Sequence, residues 1–145
     1  MLDVGCGIGG TSRYLARKKG CKVTGVTISG QQVKMARMLT SKEAGVAEAT
    51  DDSDGFVGLG DGAVRFMELD AEALGEAFGV KSEKASFDCV WISEALSHLP
   101  NKELFFQNAS SLLKTGGKLV IADWLKAEDL TEAQVEADIK PIEGK

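Results

Sequence analysis

The sequence contains few of the residues on which small stapled or metal-bound domains depend. It has three cysteines and one histidine among 145 residues, and no CxxC pair. An odd number of cysteines cannot form a complete disulfide framework, and a single histidine without paired cysteines does not make a zinc-ligand set. These absences exclude a disulfide scaffold and predict that the protein binds no metal. They also favour a reducing compartment.

An excess of positive charge and long apolar runs are absent as well. The chain has 17 Lys and Arg residues and 22 Asp and Glu residues, which gives a net charge of -5. Nucleic acids and anionic membranes require basic patches, and the densest basic run, residues 17–19, closes a predicted helix whose dipole it complements. No apolar run approaches bilayer length, and no signal-peptide pattern is present. We therefore expect a cytoplasmic protein that neither binds nucleic acid nor inserts into a membrane, and whose oligomeric state is unknown.

What is present is one domain's length of alternating strand and helix patterns. Hydrophobic residues make up 43% of the chain and charged residues 27%, as in ordinary globular domains. The predicted strands cover residues 2–4, 22–28, 64–69, 87–92 and 118–122. The predicted helices cover residues 11–19, 29–43 and 101–113, with a short one capped by Thr131. This alternation predicts an α/β fold: a three-layer αβα sandwich with a Rossmann-like, doubly wound parallel sheet in the order 3-2-1-4-5.

The most informative segment is residues 2–10, Leu-Asp-Val-Gly-Cys-Gly-Ile-Gly-Gly. An apolar strand leads into a glycine-rich turn, and a helix follows immediately. Glycines at 5, 7 and 9 or 10 permit a sharp turn and allow a ligand to approach the backbone closely. The turn also directs the free N–H groups of the helix start toward whatever lies above the strand end. The segment predicts a nucleotide-type cofactor site between the first and fourth strands.

Two cofactor classes compete for this site. The pattern Gly5-x-Gly7-x-x-Gly10 satisfies the dinucleotide fingerprint, so an NAD(P)-binding oxidoreductase is one alternative. That fingerprint expects an acidic residue at the end of the second strand to bind the ribose, and Thr27 stands there instead. Asp3 is also unusual, because a carboxylate in a buried parallel strand is costly unless another group faces it.

Residues 2–9 also resemble the first motif of class I S-adenosylmethionine-dependent methyltransferases. Residues 23–32, Val-Thr-Gly-Val-Thr-Ile-Ser-x-x-Gln, are similar to the second-strand motif of the tocopherol, sterol and cyclopropane-fatty-acid branch, which often has Thr in place of the acid. Further resemblances lie in residues 68–71, 87–98 and 112–119. Because five motifs occur in order, the chain resembles the tocopherol, sterol and ubiquinone type of small-molecule methyltransferase.

The resemblance implies methyl transfer from S-adenosyl-L-methionine to an O, N, S or C nucleophile of a small acceptor, with S-adenosyl-L-homocysteine as product. It implies that the methionine end of the cofactor lies at Asp3, Gly5, Cys6, Gly7 and Gly9. The ribose would lie at Thr27 and Gln32, the adenine at Asp70 and Ala71, and the sulfonium at Ser93. Candidate catalytic residues on the acceptor side are His98 and Glu94, with Asp123 a weaker one.

Structural roles compete with several of these assignments. Ser29 and Gln32 form a capping-box pattern, and Asp70 is placed to cap the helix after its strand. His98 precedes Leu-Pro, as residues at the start of a helix often do, and Cys6 has no partner that would make it a nucleophile. A non-catalytic cofactor-binding fragment is the third functional hypothesis, after the methyltransferase and the oxidoreductase, because the chain begins inside a strand and stops shortly after its last helix.

Residues 45–62 are rich in Gly, Asp and Glu without a period, and we predict a surface loop there. The chain starts inside its first strand and stops shortly after the Thr131-capped helix. We therefore expect the core of a longer protein, truncated at both ends, which binds cofactor but turns over little. In this interpretation residues 1–125 form the cofactor-binding core, and residues 126–145 begin a C-terminal cap or linker.

Overall fold

The computed structural model describes residues 1–47, 55–79, 86–124 and 126–141, which contain six strands and five helices. The strands are β1 (Leu2–Val4), β2 (Lys22–Thr27), β3 (Val57–Leu59), β4 (Gly62–Glu68), β5 (Phe87–Ser93) and β6 (Leu113–Ala122). The helices are α1 (Gly10–Lys19), α2 (Gly30–Ala44), α3 (Leu74–Gly79), α4 (Lys102–Leu112) and α5 (Glu132–Gln134). Short 3₁₀ turns at Ala71–Ala73 and Leu96–His98 follow β4 and β5, and a π-helical turn, Val135–Ile139, continues α5.

The strands form one sheet in the order β3-β4-β2-β1-β5-β6. β1 lies between β2 and β5, with Asp3 opposite Gly25 on one side and Trp91 on the other. All neighbouring pairs are parallel except β3 and β4. The order predicted for the five parallel strands is confirmed, and it reverses between β1 and β5, where open α/β sheets bind ligands.

Helices cover both faces of the sheet, each over its own apolar core. On one face, Val23, Val64 and Phe66 pack with Ala16 of α1 and Ala36 of α2. The core of the other face is built from β1, β2, β5, α3 and α4; its largest fully buried side chains are those of Leu2, Leu74, Ile92, Phe105 and Leu112. The predicted three-layer arrangement is therefore confirmed.

The prediction of a surface loop over residues 45–62 is wrong in its second half. Val57–Leu59 forms β3, which pairs antiparallel with β4, and β4 starts at Gly62 rather than at residue 64. The sheet therefore has six strands instead of the predicted five. A three-residue strand is too short to show a period of two, and Gly60, at φ 61°, makes the tight turn that joins the strands. Residues 48–54 lie outside the described residues.

The boundary between α4 and the last strand also differs from the prediction. The helix ends at Leu112, and β6 begins at the next residue, so Gly116 and Gly117 do not end the helix. They lie inside β6, where the pairing with β5 shifts register between Phe87 and Cys89. Gly116 has φ 80°, which an irregularity of this kind accommodates most easily with glycine.

Other predicted helix boundaries are confirmed. Gly20, at φ 65°, ends α1 and donates its N–H to the carbonyl of Ala16. Ser29 caps α2, and Thr131 caps α5 in a complete capping box with Gln134. Within the described ranges, the helices are too short or too polar to cross a membrane.

Candidate cofactor-binding site

The predicted site residues follow the carboxyl ends of four neighbouring strands. The glycine loop follows β1, Thr27 ends β2, Asp70 and Ala71 come just after β4, and Ser93 ends β5. Because these strands are parallel and adjacent, their ends meet along one edge of the sheet. The fold therefore brings the predicted cofactor residues to one crevice.

The glycine loop is fixed to the neighbouring strand by its first two amides. The N–H groups of Gly5 and Cys6 both donate to the carbonyl of Val26, at 2.9 and 3.0 Å, and Gly9 donates to the carbonyl of Cys6 at 2.9 Å. The amides of Gly5 and Cys6 are thus occupied by protein groups. Among the described residues the amides of Gly7 and Ile8 have no protein acceptor, so free donors lie at the middle of the loop.

The loop glycines serve different purposes. Gly5, Gly7 and Gly9 all have left-handed backbone angles, with φ of 72°, 55° and 76°. A Cβ at Gly5 would lie 2.5 Å from Cβ of Ala95, and one at Gly9 would overlap the ring of Phe66. A Cβ at Gly7 would have no heavy atom within 4 Å. Close packing requires Gly5 and Gly9, whereas Gly7 faces open space that a ligand can enter.

Asp3 is buried at the base of this loop. Its carboxylate accepts a hydrogen bond of 2.5 Å from the hydroxyl of Ser12, in α1. Burial raises the pKa of Asp3 to about 6, although the Ser12 hydrogen bond acts in the opposite direction. The carboxylate thus links β1 to α1.

Cys6 behaves as a packed side chain. Burial, together with the charge of Asp3, raises the pKa of its thiol to about 12, so the thiolate needed for nucleophilic attack does not form near neutral pH. All three cysteines of the chain are free thiols.

The end of β2 brings Thr27 and Gln32 into direct contact. The Thr27 hydroxyl donates to the side-chain Oε1 of Gln32 at 2.7 Å, and the backbone N–H of Gln32 donates to Oγ of Ser29 at 3.3 Å. Only half of the predicted capping box is therefore present, because the Gln32 side chain turns to Thr27 instead of to the backbone of Ser29. This geometry leaves the Gln32 side-chain NH₂ as a hydrogen-bond donor at the strand end.

Asp70 serves as a cap in the structure. One carboxylate oxygen accepts the N–H of Glu72 at 2.9 Å and so starts the 3₁₀ turn that contains buried Ala71. The other oxygen accepts no hydrogen bond from the described residues. A capping role and a ligand role are therefore compatible, because each uses a different oxygen.

The loop after β5 has an unusual backbone. Glu94 has φ 52°, the only left-handed non-glycine residue among those described, and its N–H donates to the carbonyl of Ala122 at 2.7 Å. This turn directs Ala95 against Gly5 of the glycine loop. The Glu94 side chain is exposed, while Ser93 is half-buried at the end of the strand. Backbone strain of this kind is concentrated at ligand and active sites.

His98 lies on the surface of the following 3₁₀ turn, and its imidazole has no hydrogen-bond partner among the described residues. Asp123, the weaker candidate, is already occupied: its carboxylate accepts the N–H of Ser97 at 3.0 Å and that of Trp124 at 2.8 Å. These two N–H donors hold the pKa of Asp123 below its usual value, and the N–H of Ser97 has the larger effect. Asp123 thus fixes the turn that carries His98.

Two residues at this edge were missed from the sequence. Ile28, immediately after β2, is 73% exposed, although an apolar side chain in a buried strand was expected there. Glu68 ends β4 opposite Thr27, and its carboxylate approaches Gly30 at the start of α2. The signal available in the sequence was an acidic residue, Glu68, near the end of a predicted strand. In the described ranges, no group of three or more His, Cys, Asp or Glu side chains could hold a metal ion.

Comparisons with known proteins agree with this geometry. A 2-methyl-6-phytyl-1,4-hydroquinone methyltransferase of Synechocystis is 40% identical over 129 residues, which are 89% of this chain and 33% of that protein. A sarcosine/dimethylglycine N-methyltransferase of Halorhodospira halochloris is 32% identical over 94% of this chain and 41% of its own length. The chain spans about a third of the length of the curated relatives it matches.

Solved structures share the fold. A phosphoethanolamine N-methyltransferase of Haemonchus contortus, in complex with S-adenosyl-L-methionine, superimposes with a TM-score of 0.66 at 28% identity, over 94% of this chain and 27% of its own. The family profile described as "Methyltransferase domain" matches residues 2–121. The chain therefore belongs to the methyltransferase-domain family.

Proposed function

We propose that this chain binds S-adenosyl-L-methionine and serves in the transfer of its methyl group to a small-molecule acceptor, leaving S-adenosyl-L-homocysteine. The observation that carries the proposal is the crevice at the β1–β5 reversal, to which four strand ends bring the predicted residues. Relatives at 32–40% identity are named as methyltransferases of small molecules. That this chain also acts on a small-molecule acceptor is part of the proposal.

The glycine loop fits the methionine end of the cofactor. Its free amides at Gly7 and Ile8 suit a carboxylate, and the buried Asp3 carboxylate beneath the loop favours a nearby ammonium group. Gly5, Cys6 and Gly9 contribute backbone shape rather than free donors. Open space at Gly7 leaves room for the ligand chain to run along the loop.

The β2 and β4 ends fit the adenosine part. Gln32 offers its side-chain NH₂ beside the Thr27 hydroxyl, which suits a ribose. The second oxygen of Asp70 can accept from an exocyclic amino group, and the backbone of Ala71 lies next to it. Exposed Ile28 provides an apolar surface for a planar ring.

The β5 loop carries the acceptor side. The bound cofactor supplies an activated methyl group together with its leaving group. The protein's task is to align the acceptor and exclude water, and such alignment is worth about 7–11 kcal/mol in intramolecular models. Ser93 lies at the strand end nearest the crevice, while His98 and Glu94 can receive a proton from an acceptor that arrives protonated.

The acceptor we propose is a small, fairly apolar metabolite. The net charge of -5 disfavours nucleic acid as a partner, and three free thiols suit the cytoplasm or another reducing compartment.

Calorimetric titration of the chain with S-adenosyl-L-methionine, S-adenosyl-L-homocysteine and NAD tests the cofactor assignment. We expect both adenosyl ligands to bind with micromolar affinity and NAD to give no heat. Micromolar NAD binding without a response to the adenosyl ligands would show that the dinucleotide alternative is correct. Silence with all three ligands would contradict cofactor binding by this chain.

A further inference from the structure

The end of β2 has no acid for a ribose, but the neighbouring strand supplies one. Thr27 occupies the position at which dinucleotide sites place a carboxylate. In the sheet, Thr27 is paired with Glu68, the last residue of β4. Paired residues of adjacent strands lie about 5 Å apart, so an acid at this place in β4 reaches the same end of the crevice.

The Glu68 carboxylate is directed to the start of α2. A Cβ built on Gly30 would lie 3.2 Å from Cδ of Glu68 and 3.6 Å from its Oε1, and closer still to Oε2. Gly30 is the first residue of α2 and stands two positions before Gln32. The carboxylate thus lies beside the Thr27–Gln32 pair, and glycine at position 30 makes room for it.

Glu68 is exposed, and its carboxylate has no hydrogen-bond or ion-pair partner in the described part of the chain. The Thr27 hydroxyl donates a hydrogen bond to the side-chain carbonyl oxygen of Gln32, so both of these groups already have a partner. Two adjacent ribose hydroxyls each have a proton to donate. Among the three side chains, Glu68 alone offers two unused anionic acceptor oxygens, and hydrogen bonds to carboxylates are about twice as strong as neutral ones.

We infer that Glu68 is the ribose-binding acid of this site and accepts hydrogen bonds from the adenosyl ribose hydroxyls, reaching them from β4 instead of β2. The inference rests on the proposed function and adds to it a specificity-determining residue. A carboxylate near a helix N-terminus can stabilise the helix through its dipole without contacting a ligand. The test must therefore separate ligand recognition from stability.

The test titrates the chain with S-adenosyl-L-homocysteine and with its 2′,3′-dideoxy analogue, and measures the free energy of unfolding of each variant. We expect Glu68→Gln to weaken S-adenosyl-L-homocysteine binding about 10-fold or more and to leave binding of the dideoxy analogue unchanged. The control is Glu103→Gln, which removes a carboxylate from the first turn of α4 and should leave both affinities as they are.

Gly30→Ala gives a second approach, because its methyl group displaces the Glu68 carboxylate without removing it. We expect weaker S-adenosyl-L-homocysteine binding with undiminished stability, and no further loss in the Gly30→Ala/Glu68→Gln double variant. Binding by Glu68→Gln equal to that of the unaltered chain, equal losses with both ligands, or additive losses in the double variant would overturn the inference alone. Failure of the unaltered chain to bind S-adenosyl-L-homocysteine would overturn the proposed function and this inference together.

Discussion

Asp3 reduces stability at neutral pH. Burial raises its pKa from 3.8 to about 6 in the folded chain, so between these values the folded state holds a proton that the unfolded state has lost. The free energy of unfolding therefore decreases as pH rises from about 4 to about 6. Above about pH 7 Asp3 is ionised in both states, and the full penalty of about 3 kcal/mol persists.

We predict that Asp3→Asn removes this part of the pH dependence. Urea unfolding of both proteins from pH 3 to 8 should show their stability difference shifting by about 3 kcal/mol in favour of the variant as pH rises. All other titrating groups are common to the two chains, so the difference isolates Asp3. A constant difference across this range would contradict the raised pKa.

Asp70 combines a cap with a proposed ligand contact, and two substitutions separate the roles. Asp70→Ala should weaken adenosyl binding by about 1–3 kcal/mol and also cost about 1 kcal/mol of stability, because the cap to Glu72 is lost. Asn is also a good cap, so Asp70→Asn should retain stability but not affinity. Calorimetric titration and urea unfolding measure the two quantities. Unchanged affinity in both variants would leave Asp70 as a cap only.

At the scale of elements, the glycine loop is shaped by what packs beneath it. Phe66 of β4 is buried, and its ring lies against Gly9 and within 2.7 Å of where a Cβ on Gly25 would be. Ala95, turned inward by Glu94, fills the space beside Gly5. The loop conformation thus depends on β2, β4 and the β5 loop together.

We predict that Gly9→Ala costs at least about 2 kcal/mol, because it adds left-handed strain to an overlap with a buried ring. Gly10→Ala is the matched control. That residue begins α1 with no heavy atom within 4 Å of its Cβ position, so the change should be neutral or slightly stabilising. Urea unfolding compares the variants, and equal costs at positions 9 and 10 would contradict the role of Phe66.

The sequence predicted the long strands, the helices and their caps, but it missed the shortest strand and the contacts between strands. The order of five strands and the caps at Gly20, Ser29 and Thr131 followed from local patterns that the structure preserves. The hairpin of β3 did not, because three residues beside glycines and acids carry no periodicity. The carboxylate of Glu68 became relevant only once the sheet placed it opposite Thr27, since cross-strand register is not written in any one segment.

At the scale of the molecule, the fold and the family were predictable because five separate motifs had to agree in order and spacing. The individual contacts were less so. The capping-box pattern at Ser29 and Gln32 is only half realised, because the Gln32 side chain turns to Thr27. The amides of Gly5 and Cys6, in the predicted cofactor loop, are hydrogen-bonded to the carbonyl of Val26. Competition between nearby partners of similar strength decides such contacts, and tertiary packing settles it.

The two outer strands of the described sheet differ in how much edge they offer to a further strand. β3 offers three residues for pairing, whereas β6 has ten and is paired, within the described chain, only with β5. If two copies of the described chain join through β6 about a two-fold axis, both long edges are used in that single contact. The joined sheet then ends in β3 on each side, so assembly by this route closes at a dimer and does not extend into a fibre.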